Sequence, residues 1–325
     1  MKIRRAELIV IYVLMLVLTA LPAGAQQTNV VSSAKNYLDD HESARSDKFT
    51  DGRIERAALQ PGEPDIEITV NVPAFRLTLW QNGKEIKTYP IGVGLKDFPI
   101  AIGERQATEV IWNPSWIPPD SEWVHERSGV RPGEIIKASD PRNPLGKLKI
   151  PLGGGYLIHQ AKGVGDLGGL VSHGCVRMLQ SDLYDLAEKI VAARSAPVTG
   201  KQIARAKRGS RQLMAKLDEP LIVDINYDTE VVEGGVLYLY PDVYERGTGT
   251  VARLREELKE NDVDTSALSD RTLTRMLARV GKRSAYVVSV ESIKAGRALT
   301  DGRARPLNGR ATESKMPARK RVASL

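Results

Sequence analysis

Residues 172–177 read Ser-His-Gly-Cys-Val-Arg, and they follow a short apolar run at residues 156–159, Tyr-Leu-Ile-His. Cys175 is the only cysteine among 325 residues, so no disulfide can form within the chain. A free cysteine is most often a small buried apolar residue. Here an imidazole lies two positions before the thiol and a guanidinium two positions after it, which is not the composition of a core strand. The stretch therefore predicts that the sulfur of Cys175 is a reactive group and not a buried apolar one.

Such a cysteine needs a base, because the thiolate is the nucleophile and an ordinary thiol, with a pKa of about 8.5, is only slightly ionised at neutral pH. Two histidines are candidates: His173 in the motif itself and His159 at the end of the upstream run. Gly174 would let a substrate approach the backbone closely. The backbone N–H groups of Gly174 and Cys175 are candidate donors to the oxyanion of a tetrahedral intermediate.

A zinc site is the competing interpretation of the same side chains. His159, His173 and Cys175 are all zinc-ligand types, but a fourth ligand and the usual paired spacings are missing from the sequence. His41 and His125 have no partners in the sequence and are predicted to be surface or structural residues. We therefore expect neither a metal nor a cofactor.

The first 25 residues have the organisation of a signal peptide. Basic residues precede an apolar run at residues 8–21, and residues 23–25 read Ala-Gly-Ala, the small-x-small pattern that signal peptidase accepts. The run is short for a membrane-spanning helix, although an uncleaved anchor is the alternative. We expect export to the periplasm or cell envelope, with cleavage near Ala25.

The excess positive charge is concentrated at the C-terminal end. The chain carries a net charge of +7. Residues 302–325 contain one acidic residue, Glu313, and seven basic ones: Arg303, Arg305, Arg310, Lys315, Arg319, Lys320 and Arg321. Because the excess charge lies in a terminal segment of an exported chain, we expect no nucleic-acid partner. The segment 301–325 is predicted to be a basic disordered tail, either idle or binding an anionic envelope surface.

The hydrophobic pattern predicts a mainly β first domain. Residues 26–65 are polar and read as a leader or spacer. Apolar residues then alternate from Ile66, and Asn82-Gly83 is a strong hairpin signal. A helix is expected at residues 181–193 and further short strands around residues 108–112, 148–150 and 156–159. We expect this β domain, with a few helices, to cover residues 66–200.

The second half predicts a small α+β module over residues 201–300. Strands are expected at residues 221–225, 236–240 and 286–290. Two amphipathic helices lie between them, and the second is capped by Ser269. This half shows no chemical constellation of its own.

The motif residues resemble the L,D-transpeptidase catalytic domain of the YkuD type. The resemblance rests on His159 followed by Ser-His-Gly-Cys, on residues 143–146 (Asn-Pro-Leu-Gly) and on residues 154–159 (Gly-Gly-Tyr-Leu-Ile-His). It covers residues 66–200 well and residues 221–241 weakly, and it implies a β-sandwich with a few helices. One position departs from the family pattern: Gln160 follows the histidine where the family usually has glycine.

The resemblance implies a cysteine acyltransferase acting on peptidoglycan stem peptides. Cys175 would attack the carbonyl of the L-centre of diaminopimelate, release D-Ala and form a thioester, which an amine of a second stem would resolve. His159 matches the family's general base and His173 the second histidine of the motif. Ser172, Arg177 and Tyr156 are the candidate substrate-binding residues.

Two other functions remain open at this point. The same thioester resolved by water would make the protein an L,D-carboxypeptidase or an amidase, and acceptor choice depends on the shape of the site. A wall-binding module without catalysis is the second alternative, although an intact Cys175 and His159 argue against it.

Overall fold

A computed structural model gives the fold, and it describes residues 66–194 and 196–307. The predicted signal peptide, the leader up to residue 65 and residues 308–325 lie outside the described residues. The strands are β1 (Ile66–Asn71), β2 (Arg76–Gln81), β3 (Lys84–Pro90), β4 (Val93–Gly94), β5 (Gly103–Trp112), β6 (Leu148–Pro151), β7 (Leu157–Gln160), β8 (Leu170–Ser172), β9 (Val176–Met178), β10 (Leu213–Asn226), β11 (Glu230–Glu233), β12 (Val236–Leu239), β13 (Ser284–Ser289) and β14 (Arg303–Pro306). The helices are α1 (Glu122–His125), α2 (Gln180–Ala193), α3 (Gly200–Arg208), α4 (Val251–Glu260), α5 (Asp270–Leu277), α6 (Val290–Lys294) and α7 (Ala298–Asp301), with a 3₁₀ turn at Val164–Asp166.

The larger sheet has the strand order β3-β2-β1-β10-β5-β6-β7-β9. Its first hairpin forms as predicted, because Asn82 and Gly83 both adopt positive φ, 52° and 72°, which suits a tight turn between twisted strands. Helix α2 buries Leu183, Leu186 and Ile190 in the core of this sheet. The expectation of a mainly β fold with a few helices is confirmed.

Strand β10 lies in the larger sheet and not in the C-terminal module. It pairs in parallel with β1 and antiparallel with β5, so it fills the middle of the sheet. The register with β5 shifts between Lys216 and Leu221, where Pro220 offers no N–H to the ladder. The boundary expected at residue 200 therefore divides one sheet. Sequence spacing did not reveal this, because a parallel pairing between segments so far apart leaves no local signal.

The C-terminal half forms a second, antiparallel sheet with the order β11-β12-β13-β14. Helices α4 and α5 pack on it through a separate core that includes Leu254, Leu273 and Met276. Ser269 caps α5 as predicted, since its hydroxyl accepts from the backbone N–H of Thr272. The prediction of a disordered tail over residues 301–325 is wrong for residues 303–306, which form strand β14 and pair with β13.

A long excursion between β5 and β6, the 113–147 segment, has a small core of its own. Trp116, Val124 and Ile136 are buried there together with Val130 and Leu145. Its strand-like bridge joins Trp116 to Ile136, and its only helical turn within the described residues is α1. This segment brings side chains to the motif around Cys175.

Candidate active site

The pairing of β7 with β9 sets the position of the predicted catalytic residues. His159 lies directly opposite Arg177, and Ile158 lies opposite Val176. Because side chains alternate along a strand, the fully buried Ile158 and Val176 face the core, and His159 and Arg177 face the other side. Cys175 immediately precedes β9, two positions before Arg177, and its sulfur accepts from the backbone N–H of Leu157. The thiol and the imidazole therefore sit at one end of the same strand pair.

Glycines allow the backbone around Cys175 to pack closely. Gly174 adopts φ 100°, and a Cβ there would lie 2.9 Å from Cε1 of Tyr156. A Cβ on Gly94 would lie 3.0 Å from the Cα of Gly174. The N–H of Leu95 donates to the carbonyl of Ser172 at 2.8 Å. The segment Gly92-Val93-Gly94 therefore packs against one side of residues 172–175, the cysteine loop, and Tyr156 packs against another side.

Burial raises the pKa of the Cys175 thiol above its ordinary value. The backbone N–H of Leu157 and the positive charge of Arg177 act in the opposite direction but do not overcome this effect. The thiol is partly exposed and carries no disulfide partner. It is therefore protonated at neutral pH and needs a base during attack.

Burial also lowers the pKa of His159, to about 4, and the positive charge of Arg177 adds to the shift. The side chain is buried, 4% exposed, and its Nδ1 has no hydrogen-bond partner within the described residues. A neutral imidazole with a free, buried nitrogen is able to accept a proton. The resting pair is therefore a thiol and a neutral imidazole, not a thiolate–imidazolium pair.

Arg177 is held by a carboxylate within the fold. Its Nη1 lies 3.2 Å from Oδ2 of Asp166, and both side chains are largely buried. The same Oδ2 accepts from the backbone N–H of Lys162 at 2.8 Å. Arg177, a candidate substrate-binding residue, lies opposite His159 in the strand pair, and its positive charge lowers the pKa of the imidazole. A role of Arg177 at the substrate stays a prediction.

Ser172, the second candidate substrate-binding residue, lies inside the turn of the motif. It is 1% exposed, and its hydroxyl donates to the carbonyl of Cys175 at 2.5 Å. Its side chain therefore shapes the turn that carries the thiol. Tyr156 is partly exposed beside Gly174, as a residue in contact with a bound peptide would be.

The side chain of His173 is exposed but has aromatic rings on two sides. Trp123 of α1 stacks on it with ring centroids 4.3 Å apart and an interplanar angle of 10°. Phe98 meets it edge-on at 4.7 Å, and Trp116 continues the stack at 6.2 Å from Trp123. Burial and then the charge of Arg177 lower the pKa of His173, which keeps it neutral. The 113–147 segment thus docks directly on the motif. This contact was not predicted from the sequence, although two tryptophans in a proline-rich loop were a signal for it.

Metal binding finds no support in the residues that the structure describes, since no cluster of three or more His, Cys, Asp or Glu side chains occurs there. His125 pairs with Asp120 at 2.7 Å on the surface. Within the same ranges no helix has the length and apolarity to cross a membrane.

Comparison with known proteins agrees with this arrangement. Residues 65–203 match the model of the YkuD family, described as the L,D-transpeptidase catalytic domain. These residues form a YkuD-family domain. The family resemblance seen in the sequence is thereby confirmed.

Curated relatives bear the same family name. The chain is 30% identical over 126 residues to the probable L,D-transpeptidase YbiS of Escherichia coli, covering 38% of this chain and 41% of the relative. It is 24% identical over 186 residues to the probable L,D-transpeptidase YcfS of the same organism, covering 54% of this chain and 56% of the relative. The chain thus spans about half the length of the curated relatives it matches.

Solved L,D-transpeptidases give weaker matches. One from Mycobacterium smegmatis aligns with a TM-score of 0.30 and 15% identity, over 50% of this chain and 59% of that chain. One from Stackebrandtia nassauensis aligns with a TM-score of 0.30 and 13% identity, over 54% of this chain and 62% of that chain. The assignment of residues 65–203 to the YkuD family rests on the family model.

Gln160 has a specific structural role in this YkuD-family domain. Its Oε1 accepts from the backbone N–H of Lys147 at 2.8 Å, and its own N–H donates to the carbonyl of Leu145. Gly146, at φ 69°, lies so close that a Cβ there would be 2.5 Å from the same Oε1. The residue that departs from the family pattern thus ties the end of the 113–147 segment to the strand of His159.

The C-terminal half also reaches the YkuD-family site, through a loop of residues 240–249 between β12 and α4. The hydroxyl of Tyr244 donates to the carbonyl of Gly94 at 3.0 Å and accepts from the N–H of Ile100 at 3.4 Å. Tyr227 stacks on Tyr244 and donates to Asp242 at 2.6 Å. The loop therefore fastens the same backbone segment that packs against Gly174.

Proposed function

We propose that the protein is an exported cysteine L,D-transpeptidase that acts on peptidoglycan stem peptides, with Cys175 as nucleophile and His159 as general base. The observation that carries the proposal is the pairing of β7 with β9, which sets a buried neutral imidazole and a thiol on one end of one strand pair. The family match supports the reaction class.

The first half-reaction forms a thioester. The sulfur of Cys175 attacks the carbonyl carbon of the L-centre of the third stem residue while His159 takes the thiol proton. The bond from this carbonyl to the nitrogen of D-Ala then breaks, and the imidazolium returns the proton to the leaving amine. A histidine whose pKa is about 4 gives up that proton readily.

The developing oxyanion needs donors that are free. The backbone N–H groups of Gly174 and Cys175 donate none of the turn and loop hydrogen bonds found in the described ranges. Gly174 has a positive φ, a backbone conformation that is strained for a residue with a side chain, so glycine is needed to orient the backbone here. We assign these two groups to the oxyanion.

The second half-reaction determines the product. An amine of a neighbouring stem peptide or of a surface protein attacks the thioester, its proton passes to His159, and the Cys175 thiol is restored. A cross-link or an anchored protein results. We propose export from the signal-peptide pattern of residues 1–25, and binding of the anionic envelope by the basic end of the chain.

The test is to incubate the purified full-length protein with a disaccharide tetrapeptide and to measure product masses. We expect a dimer with loss of D-Ala, and a thioester adduct of the protein in quenched samples. Cys175→Ala should give neither, while its melting temperature stays close to that of the wild type. Cys175→Ser is the matched control, because it retains the size and a proton for His159 but lacks the sulfur.

Other products would redirect the assignment. A shortened monomer alone, with the thioester adduct present, would indicate hydrolysis by an L,D-carboxypeptidase. Absence of any adduct with the tetrapeptide and with a carbapenem, whose strained amide acylates active-site thiols, would indicate a wall-binding protein without catalysis.

A further inference from the structure

Arg105 in β5 is a partly buried cation without an internal partner. Its guanidinium carbon lies 4.7 Å from the ring centroid of Tyr156. Within residues 66–194 and 196–307 it makes no ion pair and no hydrogen bond. Several other arginines are compensated: Arg76 pairs with Glu233, Arg177 with Asp166, Arg194 with Glu219 and Arg255 with Asp270. Arg305 in β14 resembles Arg105, because it lies on a tyrosine ring and has no ion pair among the described residues. A guanidinium without an internal carboxylate is available to an anion that reaches it from outside.

The guanidinium is held in place from two sides. Tyr156 covers one face, and the turn of residues 153–155 approaches from another, so that a Cβ on Gly154 would lie 3.3 Å from Nη1 of Arg105. All three glycines of this turn have positive φ, and the turn closes through the N–H of Tyr156 bonding to the carbonyl of Gly153. The N–H groups of the guanidinium donate no hydrogen bond within the described residues, and arginine binds planar anions through such groups.

The same tyrosine links Arg105 to the cysteine loop. One edge of the Tyr156 ring faces Gly154, and the opposite edge faces Gly174, where a Cβ would lie 2.9 Å from Cε1. A single ring thus separates the guanidinium from the glycine that precedes Cys175. A group bound there would belong to a peptide whose scissile carbonyl lies at the thiol.

We propose that Arg105 is the subsite for a carboxylate of the stem peptide, bound through two parallel N–H···O bonds on the edge of the guanidinium. The inference rests on the proposed function, because it assumes a peptide acylating Cys175. A stem peptide offers two such groups close to the scissile carbonyl: the carboxylate of the departing D-residue and the side-chain carboxylate of the diamino acid. Both have the planar geometry that arginine matches and lysine does not.

The experiment compares acylation of Cys175 in the wild type, Arg105→Gln and Arg105→Lys with three donors. The first donor is the tetrapeptide, the second has its terminal D-Ala as the amide, and the third has lysine in place of the diamino acid. We expect Arg105→Gln to lower kcat/KM for the first donor about 10- to 100-fold, mainly through KM. Arg105→Lys should lower kcat/KM by a smaller factor, because the positive charge remains but the two parallel N–H···O bonds cannot form.

The modified donors identify the carboxylate. With the donor that lacks the bound group, wild type and Arg105→Gln should have equal kcat/KM. Arg305 provides the matched control, since it also stacks on a tyrosine, Tyr238, but lies in β14 of the smaller sheet. Arg305→Gln should leave all three rates unchanged.

Three outcomes would overturn the subsite. Arg105→Gln could act equally on all three donors, which would make it a structural residue. It could have no effect on any donor. A wild-type protein that is not acylated by any donor would overturn the proposed function together with the subsite, and this result is distinct from the first two.

Discussion

Gly94 and Gly174 lie in direct backbone contact, and this contact leaves no room for a side chain at Gly94. A methyl group there would be 2.2 Å from the carbonyl oxygen of Phe98 and 3.0 Å from the Cα of Gly174. Because Gly174 carries the proposed oxyanion donor, any shift that relieves the clash moves the site itself.

Gly94→Ala should therefore reduce acylation of Cys175 on the order of 100-fold, the loss that a displacement of about 1 Å produces, and destabilise the fold by about 1–3 kcal/mol. Gly163→Ala is the matched control, because its φ of 173° is extended backbone and a Cβ would meet nothing within 4 Å. Acylation rates from intact mass and thermal unfolding measure both effects. Equal acylation by Gly94→Ala and the wild type would show that the contact does not position Gly174.

Tyr244→Phe should weaken the site from the C-terminal side. It removes the hydroxyl that bridges the Gly94 carbonyl and the Ile100 N–H. We expect a loss of about 0.5–1.5 kcal/mol in stability and a fall in kcat of about twofold to tenfold with KM nearly unchanged. Tyr238→Phe in the smaller sheet serves as the control. A change in KM alone would mean that Tyr244 contacts the substrate and does not position Gly94.

The reactivity of Cys175 should follow its raised pKa. Since burial keeps the thiol protonated, alkylation by iodoacetamide should be slow at pH 7, should rise steadily with pH as the thiolate fraction grows, and should not level off below about pH 9, the ordinary value from which the pKa is raised. Mass spectrometry of samples quenched across pH 5 to 10 gives the profile. A rate that is already at its plateau at pH 6 would indicate a thiolate–imidazolium pair.

Loss of the base should slow acylation without removing the nucleophile. His159→Ala is expected to lower the acylation rate by ~10²–10⁴-fold, the usual contribution of a positioned base, and the remaining rate should rise at alkaline pH as the thiolate forms. An unchanged rate in His159→Ala would assign the base role to another group, of which His173 is the nearest in sequence.

The same histidine should make stability depend on pH. Its pKa falls from 6.5 to about 4 on folding, so between these values the unfolded chain binds a proton that the folded chain does not. Stability is therefore complete above about pH 6.5 and decreases as the pH falls towards 4, by ~3 kcal/mol for this group. Chemical denaturation at pH 7 and pH 4.5 should show a smaller difference for His159→Gln than for the wild type. Identical differences would contradict a buried neutral imidazole.

Removal of residues 308–325 should separate wall binding from catalysis. This segment carries Arg310, Lys315, Arg319, Lys320 and Arg321 against Glu313, and the cut leaves strand β14 intact. Turnover of a soluble donor should be unchanged, while binding to purified sacculi should weaken, most clearly at low salt. A full-length chain with the five basic residues changed to glutamine should behave in the same way. Sacculus binding equal to that of the wild type would show that the segment is idle.

Local patterns predicted much of the fold. The Asn82-Gly83 hairpin and the Ser269 cap were predictable because each depends on backbone geometry within a few residues. The placement of β10 was not, because its partners are determined by packing over long separations. The wrong assignment of residues 303–306 to a tail has the same cause: β14 is a short, charged edge strand that only its pairing with β13 defines.

The reactive residues of the site were predicted from the sequence, but most of their contacts in the folded chain were not. Cys175 and His159 were found from residue type and spacing. The contacts of Trp123 with His173 and of Tyr244 with Gly94 were not, since each joins segments that only the folded chain brings together. Ser172 was expected at the substrate because it belongs to the motif, but its hydroxyl satisfies a carbonyl of its own turn.

The central position of β10 has a consequence for how the chain matures. The cysteine motif and its histidine leave the ribosome and any export channel well before residues 213–226, and until these arrive β1 and β5 present open edges. Over that interval the thiol is exposed on an incomplete sheet and can be oxidised. The open strand edges can pair with other chains. A recombinant fragment that stops at residue 203, where the family match ends, would remain in that state permanently.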